Sequence, residues 1–155
     1  MEHPPHAAQA DRVRRHSPAE INARIDAAID ATIRRYREAS PEALSRRIEK
    51  LDREWDIERV LETNAATFSL LGLLLSRLQN RRWLLLSTGV AGFLLQHALQ
   101  GWCPPVSVFR RLGVRTRDEI DREKYALKVL RGDFSELREN SARRLIPTGG
   151  NQRAR

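Results

Sequence analysis

The sequence predicts an all-α protein, a two-helix transmembrane hairpin flanked by amphipathic cytoplasmic helices. Three observations predict it. Apolar residues recur at spacings of three and four before residue 54 and after residue 115, the period of one helix face. Two apolar stretches, Ala65 to Ser76 and Trp83 to Leu99, lie back to back around the basic knot Arg77-Leu78-Gln79-Asn80-Arg81-Arg82. Ser-Pro, Pro-Pro and isolated Gly residues stand where helices start and stop. The organisation follows: an N-terminal arm over 1–16, two amphipathic helices over 17–54, the hairpin and its exit over 55–114, an amphipathic helix over 115–140 and a tail over 141–155.

The arm is polar, rich in Pro, His and Ala, and reads as disordered. It carries three arginines and no apolar core, so it is not a secretory signal peptide. Ser17-Pro18-Ala19-Glu20 then predicts a helix start, with Ser17 capping and Glu20 closing a capping box. Ile21, Ile25, Ala28 or Ile29, Ile33 and Tyr36 give its stripe, which ends near Ala39. Ser40-Pro41-Glu42 starts a second helix whose stripe is Leu44, Ile48, Leu51 and Trp55. This pair is charge-neutral, so packing partners rather than polyanions are expected for it.

The third helix is expected over Ile57 to Leu78 and becomes apolar around most of its girth from Ala65. The fourth spans Trp83 to Leu99 with no charged residue. Each apolar run is shorter than the ~20 residues that cross ~30 Å of hydrocarbon. The flanks Ile57 to Asn64 and Gln100 to Trp102 supply the missing length in this reading, and Trp83 and Trp102 bracket the fourth helix as an aromatic belt. Gly72, Gly89 and Gly92 are candidate helix-packing positions, because small residues admit a close neighbour. Nine basic residues on the outer flanks against three in the loop place both termini in the cytoplasm, with the hairpin in a bacterial inner (plasma) membrane.

Gly101-Trp102-Cys103-Pro104-Pro105 ends the hairpin, since two prolines lack the donors to continue it. A short helix follows over Val106 to Leu112 and stops at Gly113. From Gln100 to Arg117 the chain has four arginines and no acid. Arg110, Arg111, Arg115 and Arg117 are therefore candidate contacts for anionic lipid. Thr116-Arg117-Asp118-Glu119 is a second capping box, leading a stripe of Ile120, Leu127, Leu130, Phe134 and Leu137. Cys103 is the chain's one cysteine. It reads as a packed side chain at a helix end, or as a reactive thiol whose pKa Arg110 and Arg111 lower. No catalytic constellation, metal-ligand spacing or cofactor loop is present.

The hairpin followed by Gly101-Trp102-Cys103-Pro104 and then Leu112-Gly113 resembles the YgaP-like inner-membrane domain family. The resemblance covers Trp55 to Val114. It implies two membrane helices and a Gly-aromatic-Cys-Pro exit segment. Pro105 departs from the apolar residue more usual there. Some members carry a rhodanese domain, and this chain has no strand-helix alternation to form one. The expected function is a non-catalytic integral membrane protein of structural, assembly or recruiting type. Its expected partners are the lipid bilayer and either further copies or a membrane protein, with no cofactor and no nucleic acid. Two alternatives stand beside it. One is a thiol-dependent sulfur or redox carrier through Cys103. The other is a soluble basic helical protein that binds nucleic acid.

Overall fold

The computed structural model describes residues 12–135 and contains no strand among them. The all-α class therefore holds. The expectations for residues 1–11 and 136–155, Leu137 included, lie outside the described residues. A helical turn over residues 12–15 leads into α1 (Ala19–Arg35), α2 (Pro41–Arg53), α3 (Ile57–Leu78), a 3-10 turn (Arg81–Trp83), α4 (Leu84–Gln100), α5 (Pro104–Arg111) and α6 (Arg117–Arg131).

Local chemistry accounts for most boundaries. Ser40 caps α2 by accepting from the Ala43 N–H at 3.3 Å. Asp56 caps α3 by accepting from the Arg59 N–H at 2.9 Å. Thr116 and Glu119 form the reciprocal capping box that opens α6. Pro104 and Pro105 occupy the first turn of α5, where a missing N–H costs nothing. They start a helix as well as ending the hairpin. One expected cap is absent. Pro18, not Ser17, is the cap residue of α1 and makes no side-chain bond there. The Ser17 hydroxyl instead donates to the Val13 carbonyl at 2.7 Å and accepts from Arg110 Nε at 3.2 Å.

The helices make two parts. In the head, α6 packs between α1 and α2, and Leu44, Ile48, Leu51, Ile120 and Leu127 form its buried core. The hairpin consists of α3 and α4, packed along each other. A second core at its foot joins Val13, Ile57, Leu61, Cys103 and Val106, with Phe109 and Val114 against it. The N-terminal arm is therefore not wholly a disordered segment. Val13 is buried in this core and Arg14 pairs with Asp26 and Glu119.

No helix among the described residues is long and apolar enough to cross a membrane. This overturns the membrane-spanning hairpin, the inner-membrane localisation and the orientation derived from it. The flanks do not supply the length asked of them. Gly101 adopts φ +71° and caps α4 after 17 residues, about 25 Å at ~1.5 Å per residue. Trp102 lies beyond that cap and donates from Nε1 to Ser107 Oγ at 3.3 Å, folded back onto α5. At the start of α3, Ile57 and Leu61 are buried against protein, while Glu58, Arg59 and Glu62 keep the other side polar.

The left-handed Gly101 has a second constraint. A Cβ there would lie 2.5 Å from the Arg12 Cβ. Gly101→Ala is expected to lower stability by roughly 1–3 kcal/mol through left-handed strain alone, with the clash added. A urea titration followed by circular dichroism checks this against Gly113→Ala. That site shares the positive φ and has open space around it.

Candidate functional site

The foot of the hairpin is held to the head by buried charge. Arg110 on α5 is 0% exposed, and all five of its N–H donors are used. Nε donates to Ser17 Oγ. One terminal nitrogen donates to Glu119 Oε2 at 2.6 Å and to the Val114 carbonyl at 3.2 Å. The other donates to Glu119 Oε1 at 2.8 Å and to Asn22 Oδ1 at 2.7 Å. Glu119 also accepts from the Thr116 N–H and from Arg14. Burial pushes its carboxyl up, but the bonds from Arg110, Thr116 and Arg14 outweigh that and hold it below the ordinary range.

One turn along α6, Glu123 is equally buried and takes Arg47 Nε at 2.8 Å and Arg115 at 2.5 Å. Arg115 also grips Glu54 with two bonds, at 2.7 and 2.5 Å. Its guanidinium loses hydration on burial, yet Glu54 and Glu123 raise its pKa above the ordinary value. Two of the four arginines expected at anionic lipid are therefore spent inside the protein. Arg111 is exposed, and Arg117 is exposed beside Asp121 at 3.4 Å and Asp56 at 4.0 Å. These two alone remain on the surface.

Cys103 is 2% exposed. Burial raises its pKa, the nearby Glu58 carboxylate adds to the rise, and the Val106 N–H offsets part of it. Neither Arg110, committed to Glu119, nor the exposed Arg111 lowers it. The thiol borders an apolar cavity of about 140 Å³ between the hairpin and α5, lined by Phe68, Val90, Phe93, Pro105 and Phe109 among others. Among the described residues, no three His, Cys, Asp or Glu side chains come together to hold a metal ion.

Above the foot the hairpin changes character. Leu70, Leu74 and Leu78 on α3 and Leu85, Leu95 and Leu99 on α4 are exposed, Leu85 at 75% and Leu99 at 71%. Gly72 lies between the two helices, where an added Cβ would come within 2.5 Å of Ser87 Oγ and 3.0 Å of the Trp83 carbonyl. Gly89 and Gly92 face open space. At the tip, Asn80 caps the 3-10 turn and Arg77, Arg81 and Arg82 are exposed with no ion-pair partner among the described residues. At the foot, His97 Nε2 lies 2.9 Å from Glu58 Oε2 across the hairpin, and its buried Nδ1 makes no hydrogen bond. A cleft of about 500 Å³ opens beside this pair, bordered by Arg12, Glu58, Glu62, Gly101 and Arg117.

Gly101, Cys103 and Pro104 lie together at the foot, while Gly89 and Gly92 stand away from it. The residues that sequence reasoning missed are Arg14, Glu119 as an ion-pair partner, and Glu123. A signal existed. Glu119, Glu123 and Leu127 recur every four residues, so two carboxylates share the buried face of α6. Comparison with protein-family models, with curated proteins and with solved structures finds no match to this chain.

Removing one partner of the central pair is expected to be costly. Glu119→Leu leaves the Arg110 guanidinium buried without its main counter-ion and should lower stability by about 3–5 kcal/mol. The double variant Arg110→Met/Glu119→Leu should recover much of that loss in urea titrations, because no charge stays buried alone. The wild-type protein carries a pH signature as well. Because the folded carboxyl of Glu119 is depressed, its stabilisation is fully present above the unfolded value of ~4.3 and is lost as pH falls through the lower folded value. The double variant should show a shallower acid-side slope. The part that remains comes from Asp26 and Asp52, whose carboxyls are also held below the ordinary range by Arg14 and Lys124.

The thiol gives a separate test. Under native conditions Cys103 is expected to label slowly with a water-soluble disulfide reagent, with an apparent pKa above the ordinary ~8.5. Rapid labelling near pH 7 would contradict its burial.

Proposed function

We propose that this protein is a non-catalytic assembly protein, in which a charge-locked helical head presents an apolar hairpin for association with apolar partner surface. The observation that carries this reading is the contrast between the two parts. In the head, apolar side chains are buried and charged ones are paired across elements. Along the hairpin, large leucines on both helices stand in the open. Contiguous exposed apolar surface of this kind marks an interaction site. Further copies of the chain are the partner we favour, since one surface can then cover itself.

The kinship with YgaP-like domains belongs to the same proposal and rests on Gly101-Trp102-Cys103-Pro104 and Leu112-Gly113. Gly101 caps α4 and Pro104 opens α5, which gives those residues a structural task at the foot. Cys103 chemistry is disfavoured as the function by the thiol's burial and raised pKa. Nucleic-acid binding through the exit arginines is disfavoured because Arg110 and Arg115 are committed to glutamates.

Size-exclusion chromatography with light scattering tests the proposal. The full chain in detergent-free buffer is expected at a mass of two or more copies. Leu74→Lys with Leu95→Lys should weaken association at least tenfold, about 1.4 kcal/mol, with helical content unchanged. A wild-type chain that stays monomeric at all concentrations would sink the reading.

A further inference from the structure

The two ends of the hairpin carry charges of opposite sign that are unpaired among the described residues, three arginines at the tip and Glu62 at the foot, where Arg12 lines the same cleft. From Thr63 to Arg117 the chain contains no Asp or Glu, so the shaft and tip carry only positive charge. Arg77, Arg81 and Arg82 at the tip have no acidic partner among the described residues. At the foot, Glu62 is exposed and has no ion-pair partner among the described residues either, while Glu58 is hydrogen-bonded to His97. Both glutamates border the open cleft of about 500 Å³. Arg117, also on its rim, is already set against Asp56 and Asp121, which leaves Arg12 as the other cation there.

We propose that a second copy of this chain covers the hairpin in the antiparallel sense, with the arginine tip of each copy entering the foot cleft of the other. This rests on the assembly reading above and specifies its partner and direction. The register follows from the chain itself. The apolar part of α3 runs from Ala65 to Ser76, and Arg77 follows it directly. Glu62 stands three residues before it on the same helix, and Arg81 lies past the end of α3, in the 3-10 turn at the tip. Overlapping two such stretches end to end in opposite directions brings the tip of one copy, Arg77 and Arg81 included, to the Glu62 end of the other. A parallel overlap would instead stack six tip arginines, Arg77, Arg81 and Arg82 from each copy, with no acid near. The arrangement is isologous, so each contact occurs twice. Gly89 and Gly92, open on α4, let a helix of the second copy approach closely.

Disulfide trapping in the full chain tests both direction and partner. Two singly substituted chains are made, Glu62→Cys and Arg81→Cys, one carrying a size tag. Mild oxidation of the mixture should give the mixed dimer, whereas Arg81→Cys alone should give almost none. The buried native Cys103 serves as the blank. Charge reversal is the independent measurement: Arg81→Glu/Arg82→Glu should weaken association about tenfold, and adding Glu62→Arg should restore it. Efficient self-linking of Arg81→Cys, with association intact, would overturn the antiparallel arrangement and leave the assembly reading standing. A chain that stays monomeric, with flotation on anionic phospholipid vesicles in place of association, would overturn both.

Discussion

The bond on which the rest of the structure depends is the buried pairing of Arg110 with Glu119. One guanidinium reaches Ser17 before α1, Asn22 within α1, the Val114 carbonyl between α5 and α6, and Glu119 within α6. No apolar side chain could bind all four, because only a planar cation with five directed donors offers that many fixed angles. A buried ion pair of this kind contributes little net stability compared with a well-packed apolar replacement. Its contribution here is geometric. It ties α5, which packs against α3 at the foot of the hairpin, to α1 and α6 of the head, and Glu123 with Arg47 and Arg115 repeats the device one turn along.

That constraint also explains the two separate cores. Neither the cluster around Leu51 and Ile120 nor the one around Ile57 and Cys103 is large. Small cores bury too little to fix relative position by themselves. The charge layer between them shares members of both halves. Arg110 lies beside Val106 on α5, and Glu119 beside Ile120 on α6. The short arm is drawn in by the same logic, with Val13 entering one core and Arg14 joining the Glu119 cluster.

Much of this fold was legible in the chain and some was not, for physical reasons. Helix existence followed from apolar spacing. The start of α2 at Ser40-Pro41 and the cap at Thr116 followed from residue types that suit a helix N-terminus, while the cap expected at Ser17 did not form. Partners were not legible, since periodicity shows which face is buried and not what faces it. Arg110 looked like a surface charge because its acceptors Ser17 and Asn22 lie about ninety residues away. The hairpin was misread for a related reason. Counting apolar residues ignores where a helix must stop, and Gly101 stops α4 before the count can reach a crossing length.

The charge locking has a consequence for the surface. Arginines that would spread positive potential over the head are neutralised within it, as Arg14, Arg47, Arg110 and Arg115 are. The exposed charges of the head are of both signs, whereas those at the hairpin tip, Arg77, Arg81 and Arg82, are positive only. A separation of this kind steers encounter more than it adds binding energy, because exposed ion pairs are worth little while long-range potentials orient approaching molecules. Burial of the leucines then supplies the attraction. The glycines limit it: Gly72 lets α3 and α4 close on each other, and Gly89 and Gly92 keep the outer side of α4 shallow. A side chain at either outer position would hold an incoming helix away and reduce the apolar surface it could cover.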